Sequence, residues 1–317
     1  MLLLNDFFGA PPIRMEDIDE LKRNSPEIIV YAVPAIILFT VLEMIAARRE
    51  RRKVYDTAET MGSLLTGIGN LFISLLLKAV LIYWGVLIYN MLPWRMAFSW
   101  WTLLPCLIIF DFCSYWSHRI SHFVRFFWAT HVVHHSSEHY NLSVSFRQSW
   151  IQHLKIIFFL PVALVGFHPV IFFVANQIAI LFQFWQHTEY IRKLHPIIEY
   201  LFVTPSNHRV HHGSDEKYLD KNFGVIFAVW DRWLGTFQPE EEKPTYGITT
   251  KITQKVNPLY LNFHELRDIW RDMKNAKSFR KKMYYLFGSP AKIAREKKEM
   301  NQDIALKESE DGWQGRG

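Results

Sequence analysis

Apolar residues crowd the first two-thirds of the chain in long runs and give way, after residue 239, to a charged and polar remainder. The run over residues 28–47 has the length that crosses a bilayer's hydrocarbon core as a helix, with Pro34 and Glu43 interrupting but not forbidding it. It ends in Arg48, Arg49, Arg51, Arg52 and Lys53, a basic cluster that marks the cytoplasmic side. A second run, residues 63–92, is long enough to span with tilt, the alternative being a re-entrant pair. Lys78 within it must snorkel or face a polar neighbour. A third run over 97–116 leads back to the cytoplasm. Residues 150–167 and 169–185 read as the two halves of a hairpin, joined by the uncharged turn Gly166-Phe167-His168-Pro169.

The pattern predicts an all-α, polytopic membrane helical bundle of about four to five apolar spans. Residues 1–27 are a polar segment without the pattern of a secretory signal. Residues 28–238 form the embedded domain, in which 220–237 are too interrupted to span and read as a cap or lid. Residues 239–317 form a basic cytoplasmic tail, with ten bases against two acids between Arg271 and Lys298, suited either to anionic headgroups or to a solvated helix.

Composition adds two exclusions. The net charge of +6 gathers near the proposed membrane boundaries, which points to a lipid surface and not to nucleic acid. Cys106 and Cys113 sit seven apart in one apolar run, so they form neither a disulfide framework nor a C-x-x-C motif.

The candidate chemistry lies in the histidines. Nine of the fourteen fall in four groups: His118 and His122; His131, His134 and His135; His187; and His208, His211 and His212. Spacings of three and four place each set on one helical face. A lone histidine is ordinarily a hydrogen-bonded side chain, but packing has no use for the spacing His-x-x-His-His written twice. Nine neutral nitrogen donors are too many for one ion and about right for two. Parity of the spans, counted from the basic cluster, brings all four groups to the cytoplasmic face, as a helical His-rich cap. Imidazole suits iron, zinc, copper and nickel alike, so the donors alone do not name the metal. Their position at a membrane face suggests a substrate whose reacting carbon lies in a lipid chain, and O2 activation by two ferrous ions as the chemistry.

Glu138, Glu189 and Asp111 are the carboxylates placed to accept N–H bonds from the ligands, with a pairing of Asp111 and Lys78 as the other reading of that buried acid. His139 and His153 are candidates for extra ligands, whereas His168, His195 and His264 read as structural or interfacial. The other class of function is a metal transporter, but its histidines belong near the bilayer midplane and these fall at helix ends. The chain has no dinucleotide-binding glycine motif, haem attachment motif or cysteine cluster, so its reductant must come from outside. Asn141-Leu-Ser143 matches a glycosylation sequon, which this topology leaves on the cytoplasmic side.

The stretches His131-Val-Val-His134-His135-Ser-Ser-Glu138-His-Tyr140-Asn141-Leu142-Ser143, Arg147-Gln148-Ser149, Phe184-Trp185-Gln-His187-Thr188-Glu189 and Thr204-Pro205-Ser206-Asn-His208-Arg209-Val210-His211-His212-Gly213 resemble the fatty acid hydroxylase and sterol desaturase superfamily. Within it they are most similar to its alkylglycerol monooxygenase-like branch. The resemblance covers roughly residues 30–260, and includes 220–224 and 230–237. It implies a membrane non-haem diiron (two Fe2+) oxygenase with the nine histidines His118, His122, His131, His134, His135, His187, His208, His211 and His212 as iron ligands. For that branch it implies hydroxylation of the carbon beside an ether oxygen, collapse to aldehyde and glycerol, and tetrahydrobiopterin as the external reductant. For the wider superfamily it implies a sterol or fatty-acyl desaturase or hydroxylase served by a redox protein. The membrane would be a plasma or inner membrane or the endoplasmic reticulum.

Overall fold

Two helices, α1 (Ile28–Arg49) and α2 (Thr57–Met91), are the ones among the described residues that are long and apolar enough to cross a membrane. The structure is a computed structural model that describes residues 8–248, 250, 252–300 and 302, and among these it is helical, with no strand. At 1.5 Å per residue, the 22 residues of α1 and the 35 of α2 extend about 33 and 52 Å. Asp56 caps α2 by accepting the N–H of Glu59 at 2.9 Å. Since α2 is unbroken, the second apolar run is one long helix and not a re-entrant pair. Ile37, Leu38 and Phe39 of α1, and Ile68, Leu71, Phe72 and Leu75 of α2, point outward and form an apolar belt. The Lys78 ammonium within that belt pairs with Glu27.

The centre of the bundle is the contact of α3 (Leu103–Phe123) with α4 (Pro169–Phe184). Cys106, Phe110 and Cys113 pack there against Ile171, Ala175 and Ala179. The alanines, four apart, let the helices approach closely. Both cysteines are free and buried.

Two apolar runs are built differently from the expected spans. The third does not start at residue 97: the Thr102 hydroxyl bonds back to the Ser99 carbonyl in a 3-10 turn, and the helix begins at Leu103 and runs on to Phe123. The first half of the expected hairpin is a 3-10 segment, Gln152–Phe159, followed by the short helix Leu160–Leu164. Trp150 pins its start, donating its backbone N–H to Asn262 and its indole N–H to the Thr66 carbonyl. A Cβ on Gly69 would stand 2.4 Å from that indole, so only glycine admits it. This half and the 16 residues of α4, about 24 Å, are apolar but shorter than a simple crossing needs.

The remaining elements form a cap. α5 (Pro205–His211) starts at Thr204, whose hydroxyl accepts the Asn207 N–H at 3.3 Å. α6 (Pro258–Asn275) and α7 (Phe279–Phe287) follow it. Leu261 of α6 packs on Val133 and Ile252, directly behind the turn Val132–His135. The sequon is not available for modification: Asn141 is buried, and its amide donates to the Val54 carbonyl.

Candidate metal centre

The nine histidines converge as two adjoining nests. His118, His122, His131, His135 and His211 make one; His134, His187, His208 and His212 make the other, and within each the ligand atoms lie no more than 4.8 Å apart. α3 supplies the first two, one turn apart. The turn Val132–His135 supplies His134 and His135, His131 precedes it, His187 follows the end of α4, and α5 and its C-cap supply the last three.

Each His-x-x-His-His box serves both nests, and so does not keep to the single helical face that its spacing predicts. His131 and His135, four apart, face the first while His134 faces the second; His208 and His212, four apart, face the second while His211 faces the first. Adjacent residues on a helix point about 100° apart, so a neighbouring pair of histidines must divide between two sites. The doubled pair is the local device that places two sites side by side.

The ring nitrogens meet in a way that calls for cations. Nε2 of His118 and His131 stand 2.9 Å apart, those of His131 and His135 3.1 Å, and those of His135 and His211 3.1 Å. In the second nest, His187 meets His134 at 3.2 Å and His208 at 3.1 Å, and His212 meets His134 at 3.1 Å. The opposite nitrogen is committed elsewhere: Nδ1–H of His118 donates to the Phe223 carbonyl at 2.9 Å, of His134 to Arg147 at 3.3 Å, of His187 to Gln183 at 2.8 Å and of His211 to Lys221 at 3.0 Å. His134 and His187 are thus both protonated on Nδ1 and turn two lone pairs on each other. That contact is repulsive unless a positive ion sits where the lone pairs meet. Two nitrogens held about 2.1 Å from one metal at a right angle stand about 3 Å apart, which matches the observed separations. In the first nest, His122 Nε2 is buried without a protein partner, as a donor awaiting an ion would be. The residues fit a pair of metal ions.

Burial keeps seven of these imidazoles neutral. It holds His131, His134, His135, His208, His211 and His212 well below the ordinary histidine value, reinforced in each by neighbouring rings, and brings His187 to about 4. The lone pairs are therefore free to bind metal at neutral pH without first losing protons.

An aromatic ring walls each nest. Phe223 stands edge-on to His118, His122 and His211, with centroids 5.9, 5.2 and 5.8 Å away. Tyr140 packs on His187 at 5.8 Å and His212 at 5.2 Å, and donates its hydroxyl to the Gln186 carbonyl.

The three carboxylates singled out in the sequence lie elsewhere than on ligand nitrogens. Glu138 is exposed and pairs with Lys255 at 2.7 Å; Glu189 pairs with Lys243 at 2.8 Å and Arg52 at 3.4 Å. Asp111 does not meet Lys78: its oxygens accept the backbone N–H groups of Ile226 and Phe227 and the indole of Trp230. Backbone carbonyls orient four of the ligands instead, and Asp220 stands 3.4 Å from His122 Nδ1. His139 and His153 belong to neither nest: His139 Nδ1 lies 3.0 Å from Glu59 and His153 Nε2 3.2 Å from the Ser74 hydroxyl. His168 and His195 accept N–H bonds at the starts of helices, and His264 is buried, its Nδ1 against carbonyls of its own helix.

Sequence reasoning passed over the groups that tie the cap to the membrane helices. Glu43 of α1 accepts the Leu142 N–H at 2.8 Å and the Thr188 hydroxyl, next to His187. Glu59 of α2 accepts N–H bonds from Glu138 and His139, 3.1 Å each, and the Ser137 hydroxyl at 2.8 Å. Arg147, fully buried, donates to the Val133 carbonyl and the Ser136 hydroxyl, and through Nη1 to the Glu59 carbonyl. Lys155, on the 3-10 segment, brings a positive charge to bear on His131 and His134. For Glu43 and Lys155 the available signal was a charged residue inside an apolar run.

The fold and site define a helical membrane-associated protein with two adjoining all-histidine clusters that could each hold a metal ion. Residues 101–236 match the fatty acid hydroxylase family model, so the chain carries a fatty acid hydroxylase domain there. It is 36% identical over 276 residues to human alkylglycerol monooxygenase, covering 86% of this chain and 60% of that protein. With the zebrafish (Danio rerio) alkylglycerol monooxygenase it shares 37% over 238 residues, 74% of this chain and 52% of the relative. An ornithine lipid hydroxylase, OlsE of Rhizobium tropici, is 28% identical over 165 residues, 51% of this chain and 49% of its own. The chain spans about half to three-fifths of the length of the curated relatives it matches. No solved structure matches it.

Proposed function

We propose that the protein is a membrane lipid monooxygenase that uses two iron ions and O2 to oxidise a C–H bond of a lipid chain, with alkylglycerol ether lipids as the substrate class. The observation that carries this reading is the pair of nests in which buried Nε2 lone pairs face one another at 2.9–3.2 Å while Nδ1–H groups are held by carbonyls. When bound, a pair of ferrous ions supplies reductive activation of O2 and transfer of one of its oxygen atoms to carbon. His118, His122, His131, His135 and His211 would hold one ion, and His134, His187, His208 and His212 the other. The carbonyls of Phe223, Arg147, Gln183 and Lys221 fix ring orientation and tautomer. Phe223 and Tyr140 keep water from the flanks of the nests. The apolar belt of α1 and α2 brings the site to the substrate's own phase.

The relatives' name supports the ether-lipid class, and the resemblance to that branch implies tetrahydrobiopterin as the external electron donor. The topology follows the basic cluster after α1: a multi-pass chain with α1 and α2 as full spans, α3 and the shorter apolar helices completing four to five passes, and the metal centre on the cytoplasmic face. The test is purified protein in nanodiscs, with bound metal measured by elemental analysis. The reading expects two irons per chain, and O2 uptake with fatty aldehyde release when alkylglycerol and tetrahydrobiopterin are supplied together. A protein holding one metal or none, or one that consumes no O2 with any lipid and donor, overturns it.

A further inference from the structure

The helix α6 has two apolar faces, and the fold uses only one. Leu261 and Ile269 are buried on the inner side, where Asn262 accepts the Trp150 N–H, and Glu265 and Asp272 both bind Arg125 at 2.6 Å. On the opposite side Leu259, Phe263 and Trp270 are 59, 37 and 69% exposed. Positions 259, 263 and 270 share one stripe of a 3.6-residue helix, so this is a second apolar face and not scattered side chains. Phe279 at the start of α7, 75% exposed, continues the apolar surface beyond it.

Two further observations say what covers that face. Bases flank it: Arg267, Arg271, Lys274, Lys277 and Arg280 are all exposed, and the first two share a single acid, Asp268. The face also begins where the lipid-facing belt begins. Phe263 packs edge-on against Trp150, whose indole is bonded to Thr66 and fills the notch at Gly69 of α2, and Ile68 beside them is exposed. A tryptophan- and phenylalanine-bearing helix edged by lysine and arginine, lying level with the polar end of a membrane span, has the composition of an interfacial helix.

We propose that the outer face of α6, with the start of α7, lies in the headgroup layer of an anionic phospholipid leaflet: Trp270 and Phe263 sink to the acyl boundary, and Arg267, Arg271, Lys274, Lys277 and Arg280 pair with lipid phosphates. The inner face then acts as a bracket, since Leu261 rests on Val133 behind the turn carrying His134 and His135. The site's distance from the bilayer is held by this docking as well as by the spans.

The experiment uses the full chain in nanodiscs of phosphatidylcholine, with or without phosphatidylglycerol, carrying acyl chains brominated near the headgroup. Comparing the chain with W270F isolates the fluorescence of Trp270. The proposal expects quenching of Trp270 that is stronger with anionic lipid, is relieved by salt, and loses its anionic preference in a K274Q/K277Q/R280Q variant. Trp84, exposed on α2, is the reference for membrane insertion in the same discs when chains brominated deep in the acyl region are used. Trp84 quenched with Trp270 unquenched, whether because it faces water or because a second protein covers it, overturns the inference and leaves the membrane reading standing. Trp270 quenching equal in neutral and anionic discs and unchanged in the triple variant overturns the role of charge and with it the proposal.

Discussion

Asp111 on α3 and Trp230 in the cap, 119 residues later, meet through a 2.8 Å hydrogen bond from the indole N–H to the carboxylate. The same carboxylate also holds the backbone N–H groups of Ile226 and Phe227, at 2.8 and 3.1 Å. It is one of three acids on the long helices that each fasten a stretch of the cap: Glu43 takes Leu142 and Thr188, and Glu59 takes residues 137–139. Outside α3 and α5 the histidine-bearing segments have little regular structure of their own, and these bonds help set their positions. An Asp111→Asn substitution keeps shape but turns one acceptor oxygen into a donor facing a donor. It is expected to cost about 1–3 kcal/mol in stability and to lower bound iron, read by thermal melts and elemental analysis of the same sample.

The two nests divide the histidines in a way that substitution can read. His134→Ala and His131→Ala remove ligands from different nests, so each is expected to leave at most one tightly held ion and no oxygenation. His139→Ala, whose ring meets Glu59 instead of a nest, is expected to retain both ions. Metal-to-protein ratios of the three variants check this directly.

The loop that orients His118 and His211 depends on an unusual backbone. Asp220 and Asn222 both have positive φ, 57 and 54°, on either side of Lys221, whose carbonyl receives the His211 N–H. Asn222 also donates to the carbonyls of Asn207 and Gln238. Asn222→Ala combines the left-handed penalty with lost bonds and is expected to destabilise by about 2–4 kcal/mol. Asn222→Gly loses the bonds but tolerates the backbone, and should cost about 1 kcal/mol less. Chemical denaturation of the pair of variants separates the two effects.

Acid is expected to weaken the metal-free protein. The imidazoles of His131, His134, His135, His208, His211 and His212 are held below their unfolded value of about 6.5, and His187 to about 4, so between those pH values the unfolded chain binds more protons than the folded one. Stability therefore rises with pH across that window, is full above it, and is lost as pH falls from about 6.5 toward 4. Melting temperatures of chelator-stripped protein, followed from neutral pH down through that window, measure the slope. Bound metal shifts the loss to lower pH, since it competes with protons for the same nitrogens.

The sequence alone determined the helical class, the two long apolar helices and which nine histidines come together, because hydropathy and the 3.6-residue period are properties of residues close together in the chain. The spacing put each histidine set on one helical face; that each box divides between two nests came from the tertiary structure. Only the tertiary structure decided what orients those ligands. Carbonyls such as those of Phe223 and Gln183 leave no mark in residue identity, so carboxylates near in sequence were the natural but displaced choice, and Glu138 and Glu189 meet lysines instead. It also decided the lengths of the later apolar elements, since Trp150 is held by Asn262, 112 residues away, and no local pattern records a partner at that distance.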